Sequence, residues 1–213
     1  MLTRLKINWK YSLWLCLSLV SCHTDPVVDY GFGEYYVELA TVVDDHVFLL
    51  DNGQTVYDSN RTANLSLAAG DRVYLSFSYG KSLSDPITVH GAAKIFSHTL
   101  NAVPEETLSK QPNDPIRFES AWIGSSYLNL HIYLEYRSET HKIALLTDKD
   151  SVNGSEVHLY LLHDKNNDAA GYWISLYASF DLSQTLGEPR GDRTLYVHFN
   201  TAGSGPAIYT FKY

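Results

Sequence analysis

Asp164-Lys165-Asn166-Asn167-Asp168 places oxygen-bearing side chains at alternate positions, the spacing with which a calcium loop begins. Such a loop turns on a glycine at its sixth position and closes with a bidentate glutamate at its twelfth. Here those positions hold Ala169 and Ser175. Asp164, Asn166 and Asp168 are therefore weak metal candidates, and an Asx-rich turn is the expected reading. Nine histidines invite a transition-metal site, but the chain has no His-x-His pair and no His-Glu-x-x-His helix. His158 and His163 lie five apart and point to opposite faces of a regular strand. Hydrogen-bonded or solvated sheet histidines are expected instead, with no metal and no cofactor. Serine chemistry lacks a Gly-x-Ser-x-Gly elbow, and Asp44-Asp45 and Glu105-Glu106 fall in turn or linker contexts that solvate them. No catalytic residue is assigned. Trp122 and Trp173 are candidates for stacking on a sugar or another ring, against the alternative of packing in a core.

Cys22 carries a more specific chemistry. Arg4, Lys6 and Lys10 form a basic leader free of acidic residues, Tyr11 to Val20 an apolar run, and Leu19-Val20-Ser21 directly precedes Cys22. This order is that of a secretory signal peptide. Its end resembles a lipobox, at which the leader is removed and the new N-terminal cysteine is acylated. The apolar run is too short to span a bilayer, which needs ~20 residues. Residues 1–21 are expected to be a lipoprotein signal peptide, with Cys22 anchoring the chain through several acyl groups. The other cysteine, Cys16, lies inside the leader. The mature chain then has no internal disulfide and no zinc–thiolate site, although its compartment would permit a disulfide.

The elements that must position these residues read as strands throughout. Of sixteen basic and twenty-four acidic residues, three of the basic ones lie in the leader, so the mature chain carries a formal charge of −11. That balance argues against nucleic acid as a partner and against direct adsorption to anionic lipid. Residues 22–34 read as a polar tether. Between Tyr35 and His98 about five β-rich runs alternate with turn signals such as Asp51-Asn52-Gly53 and Gly70-Asp71, enough for a small barrel. In one of them Val73, Leu75, Phe77 and Tyr79 share a face at period two, and Gly91 is a candidate bulge. Residues 99–120 hold three of the seven prolines and little apolar content, and read as a linker. From 121 to 213 six or seven alternating runs separated by Gly, Asn and Asp turns predict an antiparallel sandwich.

With those elements in place the chain resembles the NigD-like lipoproteins of the Bacteroidetes. The matching residues are the lipobox ending at Cys22, Leu39-Ala40-Thr41-Val42 and Phe48-Leu49-Leu50-Asp51-Asn52-Gly53. Gly70-Asp71-Arg72-Val73, Ala121-Trp122-Ile123-Gly124, Tyr127-Leu128-Asn129 and Leu162-His163-Asp164 with Asn167-Asp168 continue the match. Ser179-Phe180-Asp181-Leu182 and Tyr209-Thr210-Phe211-Lys212-Tyr213 complete it. The resemblance implies an all-β protein with an OB-like barrel over 35–98 followed by a sandwich. It supplies no catalytic residues. The expectation is a lipid-anchored envelope protein, outer-membrane in location, that binds a protein, peptide or glycan, bacteriocin immunity being one version. An envelope hydrolase or carbohydrate-active accessory enzyme, or a structural subunit of an outer-membrane assembly, are the alternatives.

Overall fold

The computed structural model describes residues 35–59, 66–79 and 85–213. The leader, Cys22 and the tether lie outside the described residues. Five strands come first: β1 (Tyr35–Asp44), β2 (Val47–Leu50), β3 (Thr55–Tyr57), β4 (Arg72–Tyr79) and β5 (Ile87–Lys94). They form one antiparallel sheet in the order β3-β2-β1-β4-β5. Among the described residues no full ladder closes the sheet, and a parallel bridge between Asp58 and Ile87 joins its two edges. The β2–β3 hairpin turns on Gly53, whose φ of 86° is left-handed, the conformation an Asn-Gly step tolerates. The expected face of β4 is buried at Val73, Leu75 and Phe77, which pack with Ala40, Val42, Phe48, Leu50 and Val89. Opposite them the β4–β5 register slips where Gly91 faces Ser76 and Val89 faces Phe77, which is the bulge expected there.

The sandwich contains β6 (Phe96–Thr99), β7 (Asn101–Val103), β8 (Arg117–Gly124), β9 (Tyr127–Tyr136), β10 (Lys142–Asp148) and β11 (Glu156–Asp164). β12 (Tyr172–Asp181), β13 (Thr194–Thr201) and β14 (Gly205–Lys212) complete it, with short helices α1 (Glu105–Leu108) and α2 (Ser183–Leu186). One sheet has the order β14-β13-β11-β10-β7, the other β6-β12-β9-β8. Four of its strand pairs are antiparallel. β7 with β10, β11 with β13 and β6 with β12 are parallel, so the sandwich is mixed. A core of its own fills the space between the sheets, from Leu128, Leu130 and Ile132 across to Leu159, Val197 and Phe199.

The boundaries differ from those expected. Residues 99–120 are not a free linker, and residues 96–98 do not belong to the first sheet. β6 and β7 each add a short parallel edge strand to one sheet of the sandwich, and buried Leu100 between them is where the chain crosses from one sheet to the other. Short, polar edge strands present one half-covered face and leave no strong alternation to read. The proline-rich stretch that follows is strapped down as well. Asp114 N–H donates to His163 O at 2.7 Å, and Ile116, buried, donates to Asn200 O at 2.9 Å.

Candidate functional site

Alternation along β9 sends Leu128, Leu130, Ile132 and Leu134 into the core and Asn129, His131, Tyr133 and Glu135 outward. On β12, its neighbour, Trp173, Ser175, Tyr177 and Ser179 point the same way. Outward polar residues of a sheet are normally wet, yet Asn129 and Ser179 are completely buried. The outer face of the first sheet covers them and brings Arg72 with it.

Arg72, the first residue of β4, is only 2 % exposed. Its guanidinium donates to both oxygens of Asp51 at 2.7 and 2.9 Å, to Thr41 Oγ1 at 3.1 Å and to Asn129 Oδ1 at 3.0 Å. Asn129 Nδ2 donates to Asp51 Oδ2 at 2.7 Å, and Ser179 Oγ donates to Asn129 Oδ1 at 2.6 Å. Tyr127 lies under the guanidinium, 4.1 Å from its carbon to the ring centre. A buried ion pair offsets its desolvation only when the remaining donors and acceptors are also satisfied. Here one donor, Arg72 Nε, has no hydrogen-bond partner. Gly124 of β8 lies so close to the Asp51 carboxylate that a Cβ there would collide with it. Asp51 and Arg72 from the first sheet, with Asn129, Ser179, Tyr127 and Gly124 from the sandwich, form one polar bolt between the two cores.

Beside this bolt opens a cleft of about 370 Å³, lined by Val37, Glu38, Leu39, Asp51, Tyr74, Trp122 and Tyr177. The Tyr74 and Tyr177 rings meet across it with centroids 5.0 Å apart, and Tyr177 stacks on His131 at 4.2 Å. Burial, and then the charge of Asp51, push the Glu38 carboxyl above the ordinary carboxylate range. Asp51 also lines a second cavity of about 320 Å³ with Ser125, Asp181 and Glu188. The arrangement suits recognition. It offers aromatic surface and carboxylate acceptors on a floor whose side chains are already fixed.

Trp122 is thus placed in the cleft. Trp173 stands on the same outer face but opposite Glu135 of β9, whereas Trp122 is opposite Asn129. Six residues of strand separate those positions, about 20 Å, so the two tryptophans do not share a site. Asp164 and Asp168 are not arranged as loop ligands. The Asp164 carboxylate accepts from Asn166 N–H at 2.8 Å. Asn166 and Asn167, with φ of 54° and 60°, make the tight turn that Asp168 N–H closes onto Lys165 O, as an Asx-rich turn should. Asp168 points inward and accepts from Arg137 and Ser138 N–H, and His141 Nε2 lies 3.2 Å from it. His141 Nδ1 then meets buried His163 Nε2 at 3.0 Å. Burial alone would raise the Asp168 carboxyl, but these backbone donors and His141 overcome it and hold it at about 2. Among the described residues no group of three or more His, Cys, Asp or Glu side chains is gathered to hold a metal ion.

A profile of the NigD-like C-terminal beta sandwich domain matches residues 99–213, more than half of the chain. The chain belongs to the NigD-like family. Several solved structures share its fold. A candidate toxin-related protein from Parabacteroides distasonis superposes with a TM-score of 0.71 at 24 % identity, over 84 % of this chain and 93 % of that one. A protein of unknown function from Bacteroides vulgatus gives 0.72 at 19 % identity, over 84 % and 91 %. A NigD-like immunity protein from Bacteroides caccae gives 0.57 at 18 % identity, over 85 % and 93 %. No functionally curated protein matches the chain. The family profile begins at residue 99, so the polar bolt joins a family-defined sandwich to an N-terminal sheet outside that profile.

The bolt was not foreseen as a site, although its residues stand among those that carry the family resemblance. Asp51 reads from the sequence as part of the Asp51-Asn52-Gly53 turn, and nothing in the chain alone joins it to Arg72 or Asn129. The one local signal is an arginine at the start of β4, on the face opposite Val73, Leu75 and Phe77.

Proposed function

We propose that this NigD-like protein is a lipid-anchored cell-envelope protein that acts by binding, not by catalysis, and that the cleft beside Trp122 receives its ligand. The observation that carries the reading is the construction of that cleft. Aromatic and carboxylate groups from both sheets line it, and a buried ion pair fixes its floor. Preorganised walls of this kind favour recognition because little side-chain entropy is lost on binding. The anchor rests on Leu19-Val20-Ser21-Cys22. Among structural relatives, a candidate lipoprotein from Bacteroides fragilis and the NigD-like immunity protein support an envelope setting, within which the proposal takes the outer membrane. The order of the first sheet and the Asp58–Ile87 bridge support an OB-like description of that unit. The ligand class is an envelope glycan, peptide or protein, immunity to a bacteriocin being one case.

Two experiments test this. Cys22→Ser should release the protein from the membrane or leave the precursor uncleaved; cleavage of the wild-type chain at another bond, with an unmodified Cys22 by intact mass, would refute the anchor. Thermal-shift screening against defined envelope glycans and cationic peptides should give stabilising ligands whose effect Trp122→Ala abolishes, with the free-protein Tm near wild type. Stabilisation undiminished in Trp122→Ala would place the site elsewhere. The hydrolase reading has one observation in its favour, the raised Glu38 carboxyl beside Asp51. Against it, both Asp51 oxygens are held by Arg72 and Asn129, which leaves that carboxylate poorly placed to act as nucleophile or base.

A further inference from the structure

The outer face of the other sheet carries a second cluster. β11 and β13 run parallel with His158 beside Tyr196 and Tyr160 beside His198. The histidines occupy one diagonal of this square and the tyrosines the other. His158 Nδ1 and His198 Nε2 stand 2.8 Å apart. Each ring lies against a tyrosine, His158 on Tyr196 at 5.0 Å and 18°, His198 on Tyr160 at 4.5 Å and 20°. The residues between them, Val157, Leu159 and Val197, are fully buried in the sandwich core, which fixes both backbones. Glu156, the next outward position on β11, accepts a hydrogen bond from Tyr196 Oη at 3.3 Å and adds negative charge beside the pair.

We infer that His158 and His198 form a two-imidazole site for a late first-row divalent cation, Cu²⁺ above all. Two imidazole nitrogens bound at about 2.0–2.1 Å to one ion with a tetrahedral or square-planar angle stand about 2.9–3.4 Å apart. The pair here is 2.8 Å apart, so a small opening of the two rings admits an ion in place of the shared proton. Imidazole ligation favours Cu²⁺, Ni²⁺ and Zn²⁺ over the hard cations Mg²⁺ and Ca²⁺. Two protein ligands leave the other coordination positions to solvent, so the affinity is modest and the site open. The face is solvent-accessible at His158 and half-buried at His198, so an ion can reach it.

The test is a titration of the full-length protein with Cu²⁺, read by calorimetry and by pulsed EPR for equatorial imidazole nitrogens. A micromolar event with two coordinated imidazoles is expected. His158→Gln and His198→Gln should each weaken it at least tenfold, and the double variant should do no more than either alone, since one loss already breaks the chelate. His131→Gln, a histidine on the opposite sheet that faces Ser175 Oγ at 2.9 Å, should leave it unchanged. A two-imidazole signal that persists in His198→Gln would overturn the assignment. Zn²⁺ soaked into crystals of the unmutated protein supplies a readout independent of variant folding. An anomalous peak between the two rings supports the site, and zinc bound elsewhere with none between them overturns it.

Discussion

Removing Asp51 is the sharpest test of how the two cores are joined. In Asp51→Ala the Arg72 guanidinium, 2 % exposed, keeps Thr41 and Asn129 as partners but loses both carboxylate bonds, and Asn129 Nδ2 loses its acceptor. Stripping one partner from a buried ion pair leaves an uncompensated charge and costs about 3–5 kcal/mol. For a protein of this size each kcal/mol shifts Tm by about 2–4 °C, so the variant should melt about 6–20 °C lower. The paired change Asp51→Leu with Arg72→Met removes the charge as well as its partner. It leaves the Asn129 amide without its acceptor and the half-buried Thr41 hydroxyl without its donor, a penalty of about 1–3 kcal/mol. The double variant should therefore be more stable than Asp51→Ala, although it alters more of the site. Thermal and urea unfolding followed by circular dichroism measure both. A loss below about 1 kcal/mol in Asp51→Ala, or a double variant less stable than the single one, would refute the account of the bolt as a mutually dependent buried pair.

Gly171→Ala should destabilise by about 1–3 kcal/mol, because its Cβ would run into the Tyr136 carbonyl and the Arg137 nitrogen, backbone atoms that cannot rotate away; urea midpoints check this. Asp168 has a folded-state value of about 2 against an ordinary 3.8, so its stabilising effect is complete above the ordinary value. That effect is lost as pH falls through about 4 toward 2. Asp168→Asn should lower stability at neutral pH and flatten that acid limb, and an unchanged pH profile would contradict it. The first sheet should not bind single-stranded DNA at low salt by fluorescence anisotropy. Of the four cations between Tyr35 and His98, Arg72 is committed to Asp51 and Lys94 pairs with Asp71 at 2.8 Å, and phosphate binding needs free cations.

The strands were legible because period-two burial is a local signal. Val73, Leu75 and Phe77 announce β4, and Asp51-Asn52-Gly53 announces the β2–β3 turn, from neighbours along the chain alone. β6 and β7 were not, since three- and four-residue edge strands draw their stability from sheets built by residues far away in the sequence. The same distinction separates the site residues. Trp122 could be singled out by type, but Arg72 and Asp51 reach Asn129, 57 and 78 positions away, only because the first sheet lies across the outer face of the β9–β12 sheet. His158 illustrates the point most directly. Measured along the chain, its neighbour His163 falls on the opposite face of the strand and the pair is uninteresting. Measured across the sheet, the parallel pairing of β11 with β13 sets His198, forty residues away, within 2.8 Å. That pairing exists because the intervening β12 joins the other sheet of the sandwich. A mixed sheet can thus bring together ligands that no spacing motif records, and the chemistry of this molecule follows from its strand order as much as from its residues.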